Sequence, residues 1–189
     1  YENWGYSPLD QINRDNVHQI TLAWSWALAP AAIGSNGMQV EPTVYNGIMY
    51  LRHADEKYSA HDAASGDQIW QYSRPIATEV VQGDTRLTIH RGRGVFLYED
   101  KLISHATDGM LFALNPATGQ LLWESAMVDY RSGQQPSGAP VAFGGVVVVP
   151  YNCTAWTAAD PCHLSAYSTE NGELLWRWFT SPVPDDPMH

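Results

Sequence analysis

Two cysteines, seven histidines and one basic glycine-containing run are the side chains whose types could carry chemistry. Cys153 and Cys162 enclose eight residues of polar loop, a spacing that does not fit the paired C-x2-C arrangement of a zinc knuckle. It fits a loop disulfide, worth roughly 2–3 kcal/mol in the chain-entropy view and stable only in an oxidising compartment. Asn152-Cys153-Thr154 also matches the three-residue glycosylation pattern. The histidines show no i, i+4 pairing on a helix, and nothing in the sequence gathers Ser, His and Asp into a triad. Gly92 and Gly94, within His90-Arg91-Gly92-Arg93-Gly94, lack the following helix that a phosphate-cradling loop needs.

The chemistry must therefore come from how the chain is organised. It has 189 residues, is 44% hydrophobic and contains eight tryptophans. That composition is globular and suits strands, because aromatic side chains pack well on pleated surfaces. A net charge of −10 argues against nucleic acid and against an anionic membrane surface. No stretch reaches the roughly 18–20 apolar residues of a spanning helix.

An internal repeat sets the architecture. Ala60 to Gly66 (AHDAASG) precedes Trp70, Ala113 to Gly119 (ALNPATG) precedes Trp123, and Ala166 to Gly172 (AYSTENG) precedes Trp176. The tryptophans are 53 residues apart in both intervals. In each copy an Asp, Asn or Ser can cap a tight turn, a Gly can take positive φ, and an alternating strand leads to the Trp. Upstream lie further strand-turn-strand signals at Pro42–Leu51, Gly94–Ser104 and Pro140–Val149. Each unit thus holds about four short strands, the content of a β-propeller blade. The expected fold is all-β. It has about three four-stranded antiparallel blades over residues 1–189 and an N-terminal ring-closing strand at Leu22–Ala27. Only Pro8–Gln19 could hold a helical turn. Three blades leave apolar faces bare, so remaining propeller blades are expected from a continuation or another chain.

The Trp-ended repeat resembles that of PQQ-dependent alcohol dehydrogenases. So do Tyr6–Val17 (YSPLDQINRDNV), Leu22–Trp26 (LAWSW), Val40–Tyr50 (VEPTVYNGIMY), Arg93–Tyr98 (RGVFLY) and Leu175–Thr180 (LWRWFT). The resemblance covers essentially the whole chain and implies the N-terminal part of a longer, eight-bladed catalytic chain. It implies a pyrroloquinoline quinone (PQQ) cofactor on the propeller axis beside a divalent cation, calcium or a lanthanide, which polarises the quinone carbonyl. It implies oxidation of a primary or secondary alcohol by hydride transfer to PQQ, with electrons passed on to a cytochrome c. The implied location is periplasmic.

Residue by residue, the resemblance places Arg93 at a cofactor-binding Arg and Ser137 at a cofactor-binding Thr. Asn152 falls at a Ser that contacts the quinone, and Gln39 at a Glu that contacts PQQ, with Glu41 the alternative if the register slips by two. The metal-binding Glu of the family falls near Ala155, which cannot ligate, and Asp160 is the nearest carboxylate in that loop. No cysteine precedes Arg93, so the adjacent-Cys ring that covers PQQ in many relatives is missing. Cys153 and Cys162 resemble a loop pair of one branch. The base Asp, further metal ligands and a stacking Trp would lie beyond residue 189. The altered metal position keeps a second expectation open: a non-catalytic propeller of PQQ-like repeats serving as a periplasmic binding or assembly scaffold, as in outer-membrane assembly lipoproteins.

Overall fold

A computed structural model describes residues 9–27, 40–53, 56–75, 93–129, 135–136, 138–152 and 162–180. The described residues form three antiparallel sheets from thirteen strands. Sheet 1 is β1 (Thr43–Tyr45), β2 (Ile48–Arg52), β3 (Lys57–Asp62) and β4 (Gln68–Ser73). Sheet 2 is β5 (Phe96–Tyr98), β6 (Lys101–His105), β7 (Met110–Leu114) and β8 (Leu121–Ala126). Sheet 3 is β10 (Val141–Phe143), β11 (Val146–Asn152), β12 (His163–Ser168) and β13 (Leu174–Phe179), with the two-residue β9 (Gln135–Pro136) added to the end of β11. The expected helical turn near Gln19 is one 3-10 turn, Val17–Gln19. Residues 21–27 join no sheet among the described residues.

The hairpin turns follow from their sequences. Asn46-Gly47 sits between β1 and β2 with φ of 49° and 75°, the left-handed pair that suits strand twist. Gly144-Gly145 does the same between β10 and β11. Gly145 has φ of 80° and open space where a Cβ would stand. Gly145→Ala is therefore expected to cost only the left-handed penalty, roughly 1–2 kcal/mol, read from the denaturant midpoint.

The sheets pack face to face. One core cluster joins sheets 1 and 2 through Tyr50, Tyr58, Trp70, Leu102, Phe112 and Leu114. A second joins sheets 2 and 3 through Ile103, Leu111, Ala113, Val147, Val149 and Tyr167. Successive residues of β6 and β7 alternate between the two clusters, so sheet 2 is buried on both faces. The first strands converge: the Thr43 hydroxyl donates to the Val95 carbonyl at 3.0 Å, and the Gly145 amide donates to the Tyr98 hydroxyl at 2.9 Å. The fourth strands face outward, with every residue of β13 exposed. Radial sheets with inner first strands are the propeller arrangement.

The turn of each repeat is also a socket. Asp62 Oδ1 accepts from the Ala64 and Ser65 amides, Asn115 Oδ1 from Ala117 and Thr118, and Ser168 Oγ from Glu170. The glycine closing each turn lies under the indole of the preceding unit. A Cβ on Gly66, Gly119 or Gly172 would stand 2.6 Å from Trp24, Trp70 or Trp123 respectively. The indole N–H groups of those three donate to the carbonyls of Ala63 (3.1 Å), Pro116 (2.8 Å) and Thr169 (3.0 Å). Trp24 thus docks as a fourth-strand tryptophan of a preceding sheet would, although no turn template precedes it. Trp176 is 47% exposed, and no turn of a following sheet covers it among the described residues.

Candidate functional site

In the chain, the four cofactor candidates stand next to strands of the three sheets. Arg93 precedes β5 by three residues. Gln39 and Ser137 precede β1 and β10 by four each. Asn152 ends β11, and because β11 runs antiparallel to β10, its end lies beside the start of β10. Gln39, Ser137, Ala155, Asp160 and Cys153 lie outside the described residues, as does the side chain of Asn152. Arg93 is exposed and makes no ion pair among the described residues. The β9–β11 ladder sets Gln135 opposite Asn152 and Pro136 opposite Tyr151, which ties the residues just before Ser137 to the strand that carries Asn152. Cys162, at the head of β12, is disulfide-bonded.

Behind this end lies a buried polar clasp between sheets 1 and 2. Arg52 Nη2 donates to Glu56 Oε1 at 2.8 Å, with both side chains 3% exposed. The same oxygen accepts from the Thr107 amide (3.1 Å) and the Thr107 hydroxyl. The Tyr58 hydroxyl donates to Glu56 Oε2 at 2.9 Å and lies 3.2 Å from the His105 carbonyl. Burial opposes the charge on Glu56, yet Arg52 and the hydrogen bonds from Thr107 and Tyr58 prevail and hold its carboxyl below the ordinary range. Burial raises the Tyr58 hydroxyl well above its ordinary value, so it stays a donor. Arg52 Nε and Nη1 are buried without an acceptor among the described residues. Further out, Arg74 of sheet 1 pairs with Asp108 (2.8 Å) and Glu124 (2.7 Å) of sheet 2.

On the other face of sheet 1 runs a chain of hydrogen bonds. His61 Nδ1 is 3.1 Å from the Gly66 carbonyl, so that nitrogen carries the proton. In the neutral ring Nε2 then accepts from Ser59 (2.9 Å), and Ser59 accepts from His53 Nε2 (2.7 Å). Trp26 stands edge-on to both rings, 4.5 Å from His61 and 5.5 Å from His53. Neither network was expected from sequence, because both join side chains from different strands or sheets. The one local signal is polar residues at inward strand positions, as in Arg52-His53 and Ser59-Ala60-His61.

The radial sheets and the indole sockets call for comparison with known proteins. The PQQ family model, described as glucose/ethanol/alcohol dehydrogenase, β-propeller domain, matches residues 2–189. The chain belongs to this family. Among curated relatives, the quinohemoprotein alcohol dehydrogenase of Comamonas testosteroni is 34% identical, over 99% of this chain and 25% of its own length. The quinohemoprotein alcohol dehydrogenase ADH IIB of Pseudomonas putida is 32% identical, over 99% of this chain and 26% of its own length. The crystal structure of the Comamonas testosteroni enzyme superimposes with a TM-score of 0.82 at 33% identity, covering 96% of this chain and 26% of that one. A europium-containing methanol dehydrogenase gives 0.78 at 25% identity, covering 95% of this chain and 30% of its own. The chain spans about a quarter of the length of the curated relatives it matches.

The residues of this PQQ-family chain fit part of the cofactor. Three carboxylates on PQQ call for cations and hydrogen-bond donors. Arg93 meets that requirement as an exposed cation beside the inner strands. A divalent cation is less well served: no group of three or more His, Cys, Asp or Glu is placed to hold one among the described residues, and Ala155 offers no side-chain oxygen.

Proposed function

We propose that this chain forms part of a periplasmic PQQ-dependent alcohol dehydrogenase, in which Arg93, Ser137, Asn152 and Gln39 hold the cofactor at the convergent end of the sheets. One observation carries the reading. Arg93 is an exposed cation at the head of an innermost strand, without an ion pair among the described residues; Gln39 and Ser137 hold matching places in the chain ahead of β1 and β10, and Asn152 ends β11. When bound, PQQ supplies the two-electron acceptor for a primary or secondary alcohol. The guanidinium of Arg93 pairs with a PQQ carboxylate, and the hydroxyl of Ser137 and the amides of Asn152 and Gln39 fix its orientation. Calcium or a lanthanide beside the quinone draws its ligands mainly from the remaining blades, and a cytochrome c takes the electrons. Cys153 pairs with Cys162 across the loop, which suits an oxidising compartment. Likeness to quinohemoprotein alcohol dehydrogenases over almost the whole chain supports the enzyme over the scaffold reading.

The test is a PQQ titration of the full-length protein, with and without calcium, followed by dye reduction with a panel of alcohols. Saturable binding and alcohol-dependent reduction are expected. Neither occurring would leave the scaffold. Arg93→Ala is expected to weaken PQQ binding about tenfold or more. A hydrogen bond to a charged group is worth about 1.5–3 kcal/mol, and 1.4 kcal/mol is tenfold in affinity.

A further inference from the structure

His105 ends β6 and is 4% exposed. Counted from the first hairpin turn of each sheet, it occupies the place of Arg52 in sheet 1 and Pro150 in sheet 3. Its Nε2 lies 2.7 Å from the carbonyl oxygen of Gly138, in the segment leading into β10. A carbonyl only accepts, so Nε2 carries the hydrogen and donates.

Gly138 is confined from a second direction. A Cβ there would stand 2.7 Å from Pro150 Cγ, so the backbone passes too close to β11 for any side chain. Just upstream, Gln135 and Pro136 pair with Asn152 and Tyr151. The backbone of His105 is itself held by sheet 1: the Tyr58 hydroxyl approaches its carbonyl, and Glu56 accepts from the Thr107 amide two residues on. The buried contacts therefore run from sheet 1 through sheet 2 to the lead-in of sheet 3.

We propose that His105 is a positioning residue for the cofactor, fixing through Gly138 the segment on which Ser137 stands and the β11 end that carries Asn152. The proposal rests on the reading of Ser137 and Asn152 as PQQ contacts. A binding hydroxyl must be held within roughly 0.5 Å of its productive place, by neighbours that are themselves locked. Loss of an outer-shell hydrogen bond at comparable metal sites weakens binding 10–100-fold.

The test compares wild type, His105→Leu and His105→Gln in the full-length protein. The readouts are PQQ affinity by optical titration and amide hydrogen exchange of residues 139–142 without cofactor. Leucine keeps the bulk and removes the donor. Glutamine restores an N–H donor. The expected result is about tenfold or greater loss of PQQ affinity and faster exchange in His105→Leu, with most of both recovered in His105→Gln. Wild-type affinity in His105→Leu would overturn the proposal, as would equal loss in both variants with unchanged exchange. Failure of wild type to bind PQQ is a separate outcome that removes the cofactor reading itself, and the positioning role with it.

Discussion

Trp70→Ala will destabilise the chain by about 3–5 kcal/mol, the usual range for truncating a large buried aromatic. Trp70 is 8% exposed, forms part of the core between sheets 1 and 2, lies against Gly119 and donates to the Pro116 carbonyl. The substitution removes packing, a hydrogen bond and the main anchor between adjacent sheets. Trp176→Ala serves as the control. The same residue type at the same repeat position is 47% exposed, and its removal is expected to cost under 1 kcal/mol in this chain. Urea unfolding of both variants gives the comparison directly. Equal shifts would mean that the socket contributes nothing. Gly119→Ala approaches the same contact from the other side. It bears the left-handed penalty that Gly145→Ala also bears, and adds a collision at 2.6 Å with the Trp70 ring. It should exceed Gly145→Ala by roughly 1–3 kcal/mol, the usual cost of overpacking.

Glu56→Ala will cost a comparable about 3–5 kcal/mol, because it leaves the buried Arg52 charge without its partner. The Thr107 amide, the Thr107 hydroxyl and the Tyr58 hydroxyl lose their acceptor at the same time. The pair also gives stability a pH dependence of definite sign. The Glu56 carboxyl titrates lower in the folded chain than its ordinary value of 4.5. Between the folded and unfolded values the unfolded chain binds more protons, so stability rises with pH there. The contribution is complete above about pH 4.5 and fades as acid reaches the folded value. Acid denaturation followed by circular dichroism should show this slope in wild type and less of it in Glu56→Gln. Identical acid limbs would exclude Glu56 as a source.

The two effects occupy different parts of the same sheet-to-sheet contact. The tryptophan sockets sit at the repeat turns, and Glu56 and Thr107 sit between the second and third strands of their sheets. Local patterning made the first readable and left the second hidden. Asp62, Asn115 and Ser168 announce capped turns by residue type and by the glycine four residues on. A spacing of 53 residues between tryptophans announces equivalent units. Trp24 escaped the template because no such turn precedes it, and only its contact with Gly66 reveals its role.

The candidate site was legible only by position. Arg93 could be chosen from its motif, but its exposure at the head of an innermost strand emerged from the fold. His105 carried no signal. Its partner, Gly138, is 33 residues away, and nothing local to either predicts a contact between β6 and the lead-in to another sheet.

By itself the sequence determined the all-β class, the four-stranded units, their turns and the repeat that makes the sheets equivalent. Each of these depends on interactions within a few residues or on a period that can be counted. It did not determine the two-residue β9 or the fate of Leu22–Ala27, a segment that joins no sheet among the described residues. Only the tertiary structure decided which carbonyl each indole meets, which buried charge neutralises Arg52 and which loop His105 holds. Those pairings depend on the angle and distance between sheets, and packing of whole faces sets that geometry.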